Sequence, residues 1–280
     1  MRNYFYSLLP REYWERFAPL WDKKLESVVD ADWRVVASSL MDRCRERGIF
    51  DETKVRGIGV WRDRGRVVVH LGDRLDVDGV EIRVFDFTDT EYFYTESTPL
   101  ASVSKELVCE KDVLRFLEHF KTFRFYTKSQ ALLCLGWILS APFCALLPWR
   151  PHLWVTGPSG SGKSTLYGHL QRWLKYQLYS IHVGGGTTEA GVRQLIKYNS
   201  IPVSFDEFDP RGPKAVKIIE GCLDLMRQAS FGEGSWIVKG SAGHRSHAFS
   251  VRFMAAVTGI NNILENSKPD QSRFFDVALS

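Results

Sequence analysis

Apolar residues recur along this chain with two different periods, and the changes of period mark its parts. At 32–47, Trp33, Val36, Ala37, Leu40, Met41 and Cys44 return every three or four residues, the spacing of one helix face. Asp32 stands where an N-cap would start that helix and Gly48 where a left-handed residue would end it. From 54 to 95 the pattern becomes a series of short β-rich runs, VRGIGVW, RVVVHL, RLDV, VEIRVF and YFYT, punctuated by RDRG and Asp78-Gly79. This predicts a small meander of hairpins. The small, polar stretch TESTPLASVS at 95–104 reads as a boundary. Helical spacing returns at about 110–126 and 129–147, followed by apolar strand candidates at 152–156, 179–183, 201–205 and 251–258 with helical stretches between them. Strands alternating with helices predict an α/β core with a central parallel sheet. The expected organisation is an α+β region over 1–104, a helical connector over 105–150 and the α/β core over 151–280.

Composition changes this picture little. A hydrophobic share of 44% against 25% charged residues describes a globular protein able to bury a core. A net charge of +4 is too small to argue for nucleic acid, so evidence for it must be local. The arginines of the meander region could follow a phosphate backbone, yet Asp63, Asp73, Asp76, Asp78, Glu81 and Asp86 lie among them, so the reading is a charge-balanced surface. Cys44, Cys109, Cys134, Cys144 and Cys222 form no C-x-x-C pair, which argues against zinc or a disulfide framework and for a reducing, cytoplasmic setting. Charges scattered through the first thirty residues are unlike a secretory signal. The uncharged stretch 131–147 is short for a bilayer and contains Pro142, so a buried helix is expected there and no membrane partner.

The chemistry concentrates in the second half. Residues 157–165 read GPSGSGKST, the form G-x-x-x-x-G-K-[ST], preceded by the apolar HLWVT and followed by the helical LYGHLQRWL. Its glycines let successive amides turn inward around phosphates at a helix N-terminus. Gly157, Pro158, Ser159, Gly160, Ser161, Gly162, Lys163, Ser164 and Thr165 are therefore the expected binding set for ATP, with Lys163 on the β/γ-phosphates and Ser164 on Mg2+. In IPVSFDE, Asp206 would reach the same Mg2+, and Glu207 would accept a proton from attacking water. Pro202 and Ser204 are irregular for a buried strand. A predicted helix at 213–229 leads to SWIVKGSAGHRSHAFSVRF, a hairpin pattern with its tip at 240–243. Lys239, His244 and Arg245 at or near that tip could grip a phosphodiester backbone or could be solvated turn charges. After FMAAVTG, Asn261 could orient a water opposite the γ-phosphate, and Arg273, just before a last strand, is a candidate arginine finger.

In this order, GPSGSGKST, the GGGTTEAG turn at 184–191, SFDE, the hairpin, Asn261 and Ser272-Arg273-Phe274, the chain resembles a superfamily III-type AAA+ helicase. The similarity is to the helicase half of primase-helicase proteins of phages, plasmids and integrated mobile elements, over about 131–280. The resemblance implies a P-loop NTPase core of the additional-strand type and a homo-oligomeric ring, a hexamer. It also implies ATP between subunits, Arg273 reaching a neighbour's γ-phosphate, and Lys239, His244 and Arg245 tracking single-stranded DNA. It assigns no role to Thr187, Thr188 and Glu189. A primase or other replication partner is implied, and a helical lid is not expected within the few residues after Arg273. On the residues alone, an AAA+ ATPase acting on protein and a nucleotide-binding module without turnover stay open.

Overall fold

The computed structural model describes residues 10–48, 50–177, 180–184, 186–206, 208, 212–232, 236–240, 246–260 and 267–280, with only the backbone described at 47, 176–177, 236–240 and 246–250. The chain divides into two compact units, Met1–Glu52 and Thr53–Ser280.

The smaller unit is α+β. Helix α1 (Arg11–Phe17) precedes an antiparallel hairpin of β1 (Pro19–Asp22) and β2 (Ser27–Ala31), and α2 (Trp33–Arg47) follows. Trp14, Ala18, Ala31 and Val36 form its core, with Trp33 and Leu40 packed against it. The α2 start is as the sequence predicts: the Asp32 carboxylate accepts from the amides of Arg34 at 3.0 Å and Val35 at 3.4 Å. Gly48, at φ +81°, caps its end. Only the first turns of α2 are covered, for Met41 is 55% exposed.

The larger unit opens with β3 (Val55–Arg56) and continues as a four-stranded antiparallel meander, β4 (Gly59–Asp63), β5 (Arg66–His70), β6 (Arg74–Val77) and β7 (Val80–Arg83), in the order β4-β5-β6-β7. Two of its turns carry both central residues at positive φ, Arg64-Gly65 at +49° and +80° and Asp78-Gly79 at +50° and +88°. That is the requirement of a type I′ hairpin, whose twist matches the strands it joins. Strand β8 (Phe93–Tyr94) pairs in parallel with β3. The arginines here are largely paired in place, Arg74 with Glu81 and Asp73, Arg66 with Asp89 and Arg83 with Asp86, in keeping with a charge-balanced surface. The sequence groups this meander with the N-terminal helix; in the structure it lies in the same compact unit as the parallel sheet, with Ile58 and Val60 inside that sheet's core.

Helices α3 (Glu110–Lys121) and α4 (Lys128–Ser140) follow, α4 opened by a capping box of Thr127 and Gln130. The helix expected over 129–147 ends at Ser140, where a 3-10 turn, Ala141–Phe143, takes in Pro142. Ala131, Cys134, Leu135, Trp137 and Ile138 of α4 are buried. Among the described residues no helix is long and apolar enough to cross a membrane.

The remainder is α/β: β9 (His152–Thr156), α5 (Lys163–Gln177), β10 (Ile181–Gly184), α6 (Glu189–Ile196), β11 (Val203–Asp206), α7 (Pro213–Ala229), the antiparallel pair β12 (Trp236–Gly240) and β13 (Ser246–Ser250), then β14 (Ala255–Thr258), α8 (Lys268–Gln271) and β15 (Phe274–Ala278). Five strands form one parallel sheet in the order β10-β11-β14-β9-β15. Its two faces bury separate cores, because alternate side chains of a strand point opposite ways. Trp154 packs with residues of α6, α7 and β4, whereas Leu153 and Val155 pack with α4 and α5. A sheet covered on both faces needs near-continuous apolar strands, which is how HLWVT and AAVT read.

Two buried polar side chains fix the lower edge of this sheet. The Arg150 guanidinium donates to the carbonyls of Leu147 (2.7 Å), Ala229 (2.5 Å), Phe231 (2.8 Å) and Gly232 (3.1 Å), closing the C-terminal end of α7. His152 accepts from the Ala255 amide at Nδ1 (2.9 Å), so Nε2 carries the proton and donates to the Met226 carbonyl (2.8 Å). Burial, aided by the charges of Arg150 and Arg273, pushes this imidazole down to about 4.

Candidate functional site

Strand β9 ends at Thr156 and α5 begins at Lys163; the six residues between them make the turn over the C-terminal end of the sheet. Gly157, at φ +149°, lies where a Cβ would stand 2.6 Å from the Leu279 carbonyl oxygen and 2.7 Å from Ser161 Oγ, so only glycine fits. Gly160 and Gly162 adopt φ of +83° and +90°. The first helical bond of α5 runs from the Leu166 amide to the Gly162 carbonyl at 2.9 Å, which leaves the amides of Lys163, Ser164 and Thr165 without intrahelical acceptors. They form the positive end of the helix dipole. The Lys163 ammonium folds back onto the carbonyls of Gly157 and Pro158, the latter at 2.8 Å. Ser161 Oγ is buried with no hydrogen-bond partner. Ser159 and Gly160 are exposed at the turn's crest, and Ser164 and Thr165 are exposed on the first turn of α5. Free amide donors at the start of α5, the Lys163 ammonium and the Ser161 hydroxyl thus belong to one turn, a set of donors suited to a multiply charged anion.

Asp206 ends β11, on the same rim of the sheet. Its Oδ1 accepts from the Thr258 hydroxyl at 2.8 Å, and Thr258 ends β14, the strand between β11 and β9. Two strand spacings separate the strand carrying the turn from the strand carrying the acid, about 9.5 Å. A hydrated divalent cation is of the size to bridge such a gap. Among the described residues no group of three or more His, Cys, Asp or Glu is placed to hold a metal ion. On α5, one turn past Lys163, burial pushes the Tyr167 phenol upward against the hydrogen-bonding pull of Ser204 and Gln171, with a smaller upward contribution from the Asp206 charge. The irregular residues of this strand have local explanations. Pro202 precedes it, its carbonyl accepting from the Ile181 amide at 3.1 Å, and the buried Ser204 hydroxyl is hydrogen-bonded to His182 Nδ1 on the next strand.

Arg273 lies elsewhere. It immediately precedes β15, whose first residue pairs with His152 at the start of β9, so it sits at the N-terminal rim. The five-residue length of β15 separates the two rims by about 16 Å. Its guanidinium donates to the Pro269 carbonyl and stands 5.4 Å from the centre of the Phe231 ring, with Nε buried and unpartnered. The turn ahead of it is braced by a two-pronged bond from Arg227 to the buried Asp270, at 2.6 and 2.7 Å. Burial would raise the Asp270 carboxyl, but the Arg227 hydrogen bonds outweigh it and hold the group below its ordinary value.

The structure therefore brings the 157–165 turn and Asp206 to one rim and Arg273 to the other. The paired backbones of β12 and β13 set Lys239 opposite His247, so the hairpin is present; the side chain of Lys239, and His244 and Arg245 altogether, lie outside the described residues. Glu207 and Asn261 lie outside them too. Thr188 caps α6 through its hydroxyl, and Glu189 pairs with Arg193 at 2.7 Å. Sequence reasoning missed Thr258 and Tyr167; the only signal for the first is its place before Gly259 at the end of an apolar strand, and for the second its spacing of one helical turn from Lys163. Comparison of the chain with protein-family models and with curated protein sequences gives no match.

Proposed function

We propose that this chain is an ATPase of the additional-strand P-loop class, an AAA+ motor that hydrolyses ATP to translocate on or unwind DNA. By the resemblance drawn from its motifs, it would act as a ring of six copies in the replication of a mobile element in the cytoplasm, with a primase or similar partner. One observation carries the reading: GPSGSGKST joins the inner strand β9 to α5, Asp206 ends β11 on the same rim, and β14 is inserted between them. A class named for an additional strand is the one that this order fits.

The residues present suit a triphosphate and its metal. Amides of Lys163, Ser164 and Thr165, the unpartnered Ser161 hydroxyl and an ammonium that a phosphate could draw from two carbonyls would hold the phosphates. Ser164 and Asp206 would hold Mg2+, which when bound supplies charge neutralisation across the β- and γ-phosphates. Thr258 orients the Asp206 carboxylate. Glu207 would accept a proton from the attacking water, and Asn261 would orient that water. Arg273, about 16 Å from its own loop, would serve the site of a neighbouring copy. Lys239, His244 and Arg245 would contact single-stranded DNA.

The test is ATP binding and turnover by the full chain, at several protein concentrations, with and without single-stranded DNA. Lys163→Ala should lose binding, and Glu207→Gln should bind ATP yet stop turnover. The rate per subunit should rise with concentration and with DNA. Turnover at full rate by dilute monomer would remove the shared site, turnover indifferent to DNA would favour a protein substrate, and binding without turnover would leave a nucleotide-binding module.

A further inference from the structure

A groove between α3 and α5 belongs to none of these motifs. Arg115, Phe116 and His119 of α3 face His169, Arg172 and Trp173 of α5 across a cavity of ≈ 540 Å³, and Asp112 is its single acidic lining residue. The sequence builds it by helical spacing: 112, 115, 116 and 119 fall on one face of α3, and 169, 172 and 173 on one face of α5. The Phe116 and Trp173 rings touch, with centroids 3.8 Å apart, and Trp173 keeps 37% of its surface exposed. His119 Nε2 and His169 Nδ1 stand 3.4 Å apart. Arg115 meets Asp112 only at 4.0 Å, and Arg172 makes no ion pair among the described residues.

Two guanidinium forks, two imidazoles and an exposed indole against one carboxylate make an unusual wall for a solvent crevice. Guanidinium matches phosphate oxygens in pairs, an indole offers a face for a planar base, and imidazoles can donate to phosphate or to base edges. The volume lies within the range of sites for small organic ligands. We propose that this groove is a second binding site, taking a nucleoside phosphate either free or as one unit of a single strand. Arg115 and Arg172 meet the phosphate, Trp173 lies against the base, and His119 and His169 supply hydrogen bonds. The site shares no residue with the 157–165 turn and goes beyond the ATPase reading.

The experiment uses the full chain carrying Lys163→Ala, which silences the turn, titrated with AMP by calorimetry and with fluorescein-labelled dT12 by anisotropy. The comparison is the same chain with Arg115→Glu and Arg172→Glu added; both side chains are exposed, and a thermal melt verifies that the fold is kept. Affinity for at least one probe should fall tenfold or more. For dT12 the dependence of log affinity on log salt should flatten by about 0.7, the share of one phosphate contact on a single strand. Loss confined to dT12 identifies the strand as the source, and loss of AMP binding identifies the free nucleotide. Absence of binding by either probe, or affinities and salt slope untouched by the charge reversals, overturns the proposal. If Lys163→Ala leaves ATP binding intact, the reading of the turn fails while the result at the groove stands.

Discussion

Gly157 shows how much a single position can decide. With the Leu279 carbonyl oxygen 2.6 Å and Ser161 Oγ 2.7 Å from where a Cβ would sit, Gly157→Ala must push the turn away from the last strand. It should cost about 1–3 kcal/mol of stability and lower affinity for an ATP analogue at least tenfold, read by urea melts and calorimetry. His152 governs a different property. Its folded value of about 4 lies below the ordinary 6.5, so folding favours the neutral ring. Its contribution is complete above pH 6.5 and is lost as pH falls toward 4, an effect of about 3 kcal/mol by linkage. The urea midpoint of the larger unit, followed by tryptophan fluorescence, should fall across that window. A midpoint level from pH 7 to 4.5 would remove the claim. The glycines of the turn were legible because their conformation is local. The partners of Ser204, Asp206 and His152 were not, since each comes from a strand or helix at least twenty residues away in the chain.

At the scale of elements, the buried arginine after α4 ties three segments through carbonyls alone. Replacing it by alanine removes the side-chain donors to the Ala229 carbonyl, the last of α7, and to the Leu147, Phe231 and Gly232 carbonyls, and Arg150→Ala should destabilise the larger unit by about 3 kcal/mol in chemical denaturation. Arg150→Lys should recover less than half of the loss, because one ammonium cannot span carbonyls that a planar fork reaches together. Element types were largely legible: α2, the meander hairpins, β9, α7 and the β12–β13 pair stand where periodicity and turn residues put them. Boundaries were less so. Strands β11 and β14 begin later than the apolar runs suggest, since Pro202 delays one and residues 251–254, though buried at Val251, Phe253 and Met254, lie outside the ladder of the other. The β1–β2 hairpin was not foreseen because its strands are mostly exposed and lack clean alternation.

At the scale of the molecule, the meander is joined to the parallel sheet by backbone as well as by its core. The Gly57 amide donates to the Tyr198 carbonyl at 2.9 Å, the Ser200 amide to the Ile58 carbonyl at 2.8 Å, and the Ile58 amide to Asn199 Oδ1 at 2.8 Å. A Cβ on Gly59 would come within 2.7 Å of the Ser200 carbonyl, so the two segments lie as close as backbones can. A chain beginning at Thr53 should therefore melt in one cooperative calorimetric transition, and a chain beginning at 105 should not fold. A sharp transition from the shorter chain would show the meander to be an appendage. Strand order was the least legible feature, because it depends on which helix covers which face and no local pattern records that. One consequence follows from Arg273 and the 157–165 turn occupying opposite rims. Under the proposed reading each copy carries a donor at one end and an acceptor at the other, which gives the subunit a polarity. A two-fold pair would join each donor to the partner's acceptor only by lying antiparallel, and then no further copy could be added through those ends. Head-to-tail contact is the arrangement that extends to more than two copies, and it closes into a ring when the rotation per step divides a full turn with no rise, or winds into an open filament when it does not.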